Sequence, residues 1–403
     1  MKAPPRHPLH EPAFRALWAA NTVMNVGTWA QTVGGAWLMT TLTRDALPVA
    51  LMQTATTLPF FLFGLPAGSL ADRIDRGKLL LATQAWMLVC VSLMVALTVS
   101  ERITPTLLLL LTFGLGTGSA VGGPTWSSAL PDVVSRAQLP AAVIFNSLGY
   151  NVARSVGPAI GGVLVSAFGP AATFAANGIG YVTTMSVVFR WRGVLARKVE
   201  SGTREDFVSA MATGLRYVWQ ADQQRVVLTR SILWMLGASA LWSLLPLVAR
   251  HELGLDAPGY GFLVTCVGAG AVGGAFVLPR LRQHWTPNQL LMAGIVIFSV
   301  MLVFLAWVRF LPLVWPMLAL GGAAWTSSNQ NFQIAVQLSA PGWVRARAIA
   351  TYLLTFQGGQ AIGSAIWGSV AERVGNPVAL TCAAVGVALS LVAAVRWPVH
   401  DPP

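Results

Sequence analysis

Gly64-Leu-Pro-Ala-Gly-Ser-Leu-Ala-Asp-Arg-Ile-Asp-Arg-Gly-Lys78 joins two apolar runs, 49–70 and 79–99, through a short cluster of aspartates and basic residues. Each run has the roughly 20 mostly apolar residues that a helix needs to cross a bilayer. The stretch therefore reads as the polar turn between two membrane spans. Outward from it the same alternation repeats, giving twelve spans: 18–40, 49–70, 79–99, 106–129, 142–168, 171–189, 226–249, 259–278, 289–308, 312–337, 348–371 and 378–395. Composition agrees, with 55% hydrophobic and 10% charged residues, where soluble domains carry about 25% charged.

The net charge of +12 does not build a basic domain, because the lysines and arginines stand between apolar runs; nucleic acid is not an expected partner. The start, with Lys2, Arg6 and several prolines, lacks the apolar core and cleavage site of a signal peptide, so the first run is expected to remain as an anchor. Arg73, Arg76, Lys78, Arg136, Arg190, Arg192, Arg280, Arg282, Arg345 and Arg347 all fall on one side of the membrane, against Arg44, Arg102, Arg250, Arg309 and Arg373 on the other. The positive-inside rule then places both termini in the cytoplasm. Cys90, Cys266 and Cys382 are odd in number and far apart within apolar segments, which argues for packing residues and against a disulfide framework or metal site.

The longest polar stretch divides six spans from six, so the expected organisation is a bundle over 1–189, a cytoplasmic linker over 190–225 and a second bundle over 226–403. Within the linker Phe207, Met211, Leu215 and Val218 recur at helical spacing, the pattern of an amphipathic helix on the inner membrane surface. Sliding the chain on itself lays Gly64 and Gly68 over Gly270 and Gly274, and Gly157, Gly162 and Gly169 over Gly363, Gly368 and Gly375, all at one offset. Chain direction is kept, as for two parallel halves related by an axis along the membrane normal. The expected fold is an all-α membrane protein of two pseudo-symmetric six-helix bundles.

The 64–78 segment resembles the signature loop between helices two and three of the major facilitator superfamily, apart from Asp75, where that superfamily usually has glycine. The resemblance implies a conformational latch from Gly68, Asp72, Arg73 and Arg76: the glycines let helices approach closely and Asp72 accepts charge-assisted hydrogen bonds. Gly157-Pro158-Ala-Ile-Gly161-Gly162 is similar to the end of the helix-five motif of drug-proton antiporters, whose upstream glycine positions are Ile144 and Ala153 here. Leu139–Asn146, Tyr260–Leu263, Gly268–Gly274, Ala340–Arg347 and Phe356–Gly359 resemble the bacterial exporter branch that contains enterobactin exporters and macrolide and drug efflux proteins. That likeness implies proton-coupled export of a siderophore-like or drug-like small molecule across the bacterial inner membrane; separately, a monomer without cofactor is the expectation.

Polar residues inside spans are costly and mark function or helix contacts. Asn21, Asn25, Thr28 and Thr32 follow one helical face; Ser147, Asn151 and Arg154, then Thr326, Gln330, Gln333 and Gln337, then Gln357 and Gln360 do the same. All are expected to face a central cavity. Asn21, Asn25, Trp29, Asn151, Arg154, Gln330, Gln333, Gln357 and Gln360 are the substrate-binding candidates, with Trp126, Trp325 and Phe356 as further walls. At about 1.5 Å per residue from Ala142, Arg154 lies roughly 18 Å deep, and no acidic residue or histidine falls well inside a span. No converging catalytic or metal-binding set is present, which disfavours an enzyme. Direction of transport, cargo, coupling ion and oligomeric state stay open, with a nutrient importer as the serious rival.

Overall fold

A computed structural model describes residues 7–195, 221–341 and 344–397, and side chains within them except Leu65, 68–73 and Ala346. Twelve long helices make up the described chain: α1 (Pro12–Leu42), α2 (Ala46–Arg73), α3 (Arg76–Val99), α4 (Pro105–Val133), α5 (Leu139–Phe168), α6 (Pro170–Arg190), α7 (Asp222–Leu247), α8 (Ala257–Leu281), α9 (Pro287–Trp307), α10 (Leu311–Ser339), α11 (Arg345–Val374) and α12 (Asn376–Arg396). Several run past the expected spans; α1 begins six residues earlier than the apolar run, at Pro12. The expected amphipathic helix on 204–218 lies outside the described residues.

Local chemistry sets the helix ends. Asp75 caps α3 by accepting from the Lys78 amide at 2.9 Å, Asp256 caps α8 through Gly259 at 2.9 Å, and Thr286 with Gln289 forms a reciprocal capping box on α9. Gly169 and Gly375 turn α5 into α6 and α11 into α12 with φ of 79° and 83°, a left-handed conformation that glycine adopts without strain. They are an equivalent pair in the sequence repeat, so both halves reverse direction by the same device.

Packing carries the repeat further. α1 packs on α5 and α6, α2 on α4, and α3 on α4 and α6; α7 packs on α11 and α12, α8 on α10, and α9 on α10 and α12. Seven helices (α2, α3, α4, α7, α8, α9 and α12) contain stretches apolar enough to cross a bilayer by composition alone. The other five carry polar residues that the bundle hides or turns toward its centre: Thr173, Asn177, Tyr181 and Thr184 of α6 are all buried.

Two seams join the halves, α2 with α11 and α5 with α8. Small residues make both possible: at α5–α8 a Cβ on Gly261 would stand 2.5 Å from the Pro158 carbonyl and one on Gly162 2.7 Å from that of Ala257, and at α2–α11 one on Gly368 would stand 2.5 Å from the Ala50 side chain. Specific contacts tie the halves together at the end carrying Arg250. There Arg250, on a π-helical turn after α7, donates to the Thr40 hydroxyl at 3.1 Å and lies 5.2 Å over the Trp37 ring. Trp37 stacks on Tyr260 at 6.2 Å, and Glu372 accepts from the Leu47 amide at 3.2 Å. At the opposite end Arg76 of α3 pairs with Asp132 of α4 inside one half.

Candidate functional site

Between the halves lies a cavity of about 590 Å³. Asn25, Thr28, Trp29 and Thr32 line it from α1, with Tyr150 and Arg154 from α5 and Asn177 and Tyr181 from α6. The other half supplies Trp242, Trp325, Asn329, Phe356, Gln357 and Gln360. A smaller hollow of about 170 Å³ adjoins it, sharing Arg154, Trp325, Asn329 and Phe356 and adding Thr326, Gln330 and Gln333.

Arg154 is central to both spaces. Its guanidinium sits 5.8 Å from the Trp29 ring centroid and 5.9 Å from that of Trp242, one ring from each half. Its Nε is buried without an acceptor, and among the described residues no carboxylate pairs with it. Insertion of an arginine at mid-bilayer costs about 2.5–3.5 kcal/mol, while each cation–π contact returns roughly 0.5–2 kcal/mol. The rings therefore compensate the charge in part, and hydrogen-bonding capacity remains for an anion. Edge-to-face contacts from Trp29 to Tyr150, at 6.3 Å, and from Trp325 to Trp242 and Phe356, at 5.7 and 6.1 Å, fix the aromatic wall.

Of a further polar group in the lining, Thr28 was expected from sequence, but Gln31, Asn177 and Tyr181 were not. Asn177 donates to Gln31 and, at 3.1 Å, to the Tyr181 hydroxyl; Thr28 donates to Asn177 at 3.4 Å. Together they form a neutral network facing the cavity, in which Asn177 and Tyr181 are buried, Gln31 is half-buried and Thr28 is exposed.

Other expectations divide. Asn25, Trp29, Gln357 and Gln360 reach the cavity, and Gln330 and Gln333 the smaller hollow. Asn21 does not: it is buried and donates to Asn146 at 3.2 Å, because α5 covers that part of α1. Asn151 lines neither space and donates to the Ser147 carbonyl of its own helix at 2.8 Å. Trp126 packs with Phe14, Leu17 and Leu80, away from the cavity. In the helix-five motif Gly157 and Gly161 press on Trp29 and Ala30 of α1, whereas Pro158 and Gly162 meet α8. The side chains of the latch residues Gly68, Asp72 and Arg73 lie outside the described residues; Arg76 is buried against Asp132. Of the three free cysteines Cys90 is buried, Cys266 half-buried and Cys382 exposed, so packing accounts fully only for the first.

Residues 3–402 match the family of transmembrane secretion effectors, within the major facilitator superfamily. The chain belongs to this family. Over 396 residues this effector is 26% identical to the enterobactin exporter EntS of Escherichia coli O1:K1, covering 94% of this chain and 92% of that one. It is 22% identical over 399 residues to the multidrug efflux pump Tap of Mycolicibacterium fortuitum, covering 96% of each, and 24% identical over 268 residues to the staphyloferrin A transporter of Staphylococcus aureus, covering 66% and 67%. Among solved structures, the peptide transporter PepTSo superposes with a TM-score of 0.75 at 13% identity, over 96% of this chain and 97% of that one. The nucleoside transporter NupG gives 0.73 at 13%, over 95% and 98%. These two likenesses carry the fold alone.

Proposed function

We propose that this effector is a secondary transporter of the bacterial cytoplasmic membrane that exports a small organic anion by alternating access. One observation carries the reading: Arg154 stands in a cavity lined by both halves, with ring faces beside it and no carboxylate paired to it among the described residues. A carboxylate or phenolate on the cargo completes its hydrogen bonding. Asn25, Gln357 and Gln360 face the same space and suit polar groups on the cargo body. The names of the relatives, two siderophore transporters and a multidrug pump, agree with cargo of this kind.

The halves are assigned to 1–189 and 226–403 with 190–225 as linker, and both termini to the cytoplasm, following the basic side of the membrane. The Asp132 end is then cytoplasmic and the clamped Arg250 end external, so the cavity is held closed to the outside. Gly68, Asp72, Arg73 and Arg76 would latch the inner face. One chain completes the cavity, which supports a monomeric working unit. Family resemblance implies proton coupling, although no carboxylate lines the cavity among the described residues.

Inside-out and right-side-out vesicles given labelled enterobactin or staphyloferrin A, with and without a pH gradient, test direction and cargo. Accumulation in inside-out vesicles is expected; accumulation only in right-side-out vesicles makes the protein an importer. Arg154→Gln should remove transport of anionic compounds far more than of neutral ones. Equal loss for both would refute the cargo role of Arg154.

A further inference from the structure

The charge in the cavity has a consequence for the return half of the cycle. Arg154 carries a permanent positive charge, held between Trp29 of one half and Trp242 of the other. The ionisable groups otherwise lining the two hollows are the tyrosines 150, 181, 260 and 352; among the described residues no aspartate, glutamate, histidine or lysine joins them. While the cavity is open, water solvates the guanidinium fork. Closing the cavity empty strips that water and leaves a charge that the two rings compensate only in part, with its Nε buried and without an acceptor. A proton cannot relieve it, since a guanidinium is already protonated and no acidic side chain in the described lining can exchange one. An anion can.

We infer that the protein returns from its outward-open state with a small inorganic anion, such as chloride or phosphate, bound at Arg154, so that export is an exchange of anions. This rests on the reading that Arg154 receives anionic cargo. The smaller hollow beside it suits such an occupant. Its volume of about 170 Å³ exceeds the roughly 10–15 Å³ that one water requires. Gln330 and Gln333 line it together with Arg154, and among the described residues no side-chain hydrogen bond engages either, so their amide N–H groups can donate into the same hollow. An inorganic anion seated there lacks the body needed to fill the aromatic wall, and leaves when cargo arrives.

The test uses purified protein in liposomes and labelled chloride or phosphate as the probe. The lumen holds chloride, phosphate or only an impermeant polyanion, dextran sulfate. Uptake of the label should be at least about tenfold faster with a small anion inside. It should vanish in Arg154→Gln and survive in part in Arg154→Lys. The wild-type dependence on the luminal anion decides the matter even if Arg154→Gln does not fold. Uptake of label indifferent to the luminal anion, or no uptake of either anion, overturns the proposal, as does full cargo transport on a pH gradient with no small anion present. If Arg154→Gln discriminates anionic from neutral cargo while the luminal dependence is absent, exchange fails and the cargo reading stands.

Discussion

Arg250→Gln should weaken closure at the external end, by an amount the contacts define. Arg250 reaches from the second half to the first, donating to Thr40 at 3.1 Å and lying 5.2 Å over Trp37. A hydrogen bond from a charged group contributes about 1.5–3 kcal/mol when buried, and partial exposure here lowers that to about 1. The cation–π contact adds about 0.5–1 kcal/mol. Loss of both shifts the ratio of closed to open states by about ten- to thirtyfold. The Glu372 contact with Leu47 and the α5–α8 seam remain, so the variant should open more often without coming apart. Spin labels at Arg102→Cys and Phe310→Cys, in a background with the three native cysteines replaced by serine, report the distance between halves at this end. Arg309→Gln is the control, because its partner Glu252, at 2.9 Å, belongs to the same half. A distance distribution unchanged in Arg250→Gln, or shifted equally in Arg309→Gln, refutes the clamp.

Gly261→Ala places a Cβ 2.5 Å from the Pro158 carbonyl and should abolish transport with normal membrane insertion, whereas Gly123→Ala, with open space around it, should be silent; equal activity of the two would remove the seam from the mechanism. Arg76→Gln strands Asp132 and should destabilise the fold by about 1–3 kcal/mol after discounting for the partial exposure of Asp132, read as a lower thermal midpoint in detergent; adding Asp132→Asn should restore much of it, and no recovery would mean the pair is incidental. Reporters fused after Arg204 and after Arg347 should read cytoplasmic; a periplasmic signal at either reverses the orientation.

Much of the architecture is visible in the residues because bilayer thickness forces a length and an apolar composition on each span, and because the glycines of close contacts recur in both halves. Gly162 and Gly169 align with Gly368 and Gly375, and each aligned pair occupies matching seam and corner positions. The site is only half legible. Helical spacing identifies a polar face but not what covers it, so Asn21 and Asn25 look alike in sequence while α5 buries only the first among its own side chains. Trp126 lies on α4, whose surroundings are apolar on more than one side, and pattern alone cannot aim it. Asn177 and Tyr181 had a usable signal: Thr173, Asn177, Tyr181 and Thr184 share one buried face of α6. Arg230 shows the converse, a buried arginine near the start of α7 that donates to a side-chain oxygen of Asn288 at 2.7 Å and to the Trp397 carbonyl at 3.2 Å while its other terminal nitrogen is buried without an acceptor, so burial of charge alone does not mark a cargo site.

What separates Arg154 from Arg230 is the origin of its partners. Arg230 is held within one half, and its bonds are unaffected when the halves rock. Arg154 draws on Trp29 from the first half and Trp242 from the second, and its own backbone carbonyl would stand 2.9 Å from a Cβ on Gly268 of α8. Any motion that separates α1 from α7 must therefore release one ring from the guanidinium, at about 0.5–2 kcal/mol. A bound anion offsets that loss by hydrogen bonding to the same group. Occupancy and opening then act on one side chain. A ligand shifts such an equilibrium only by its difference in affinity between the two states, and here that difference arises from whichever ring the anion replaces.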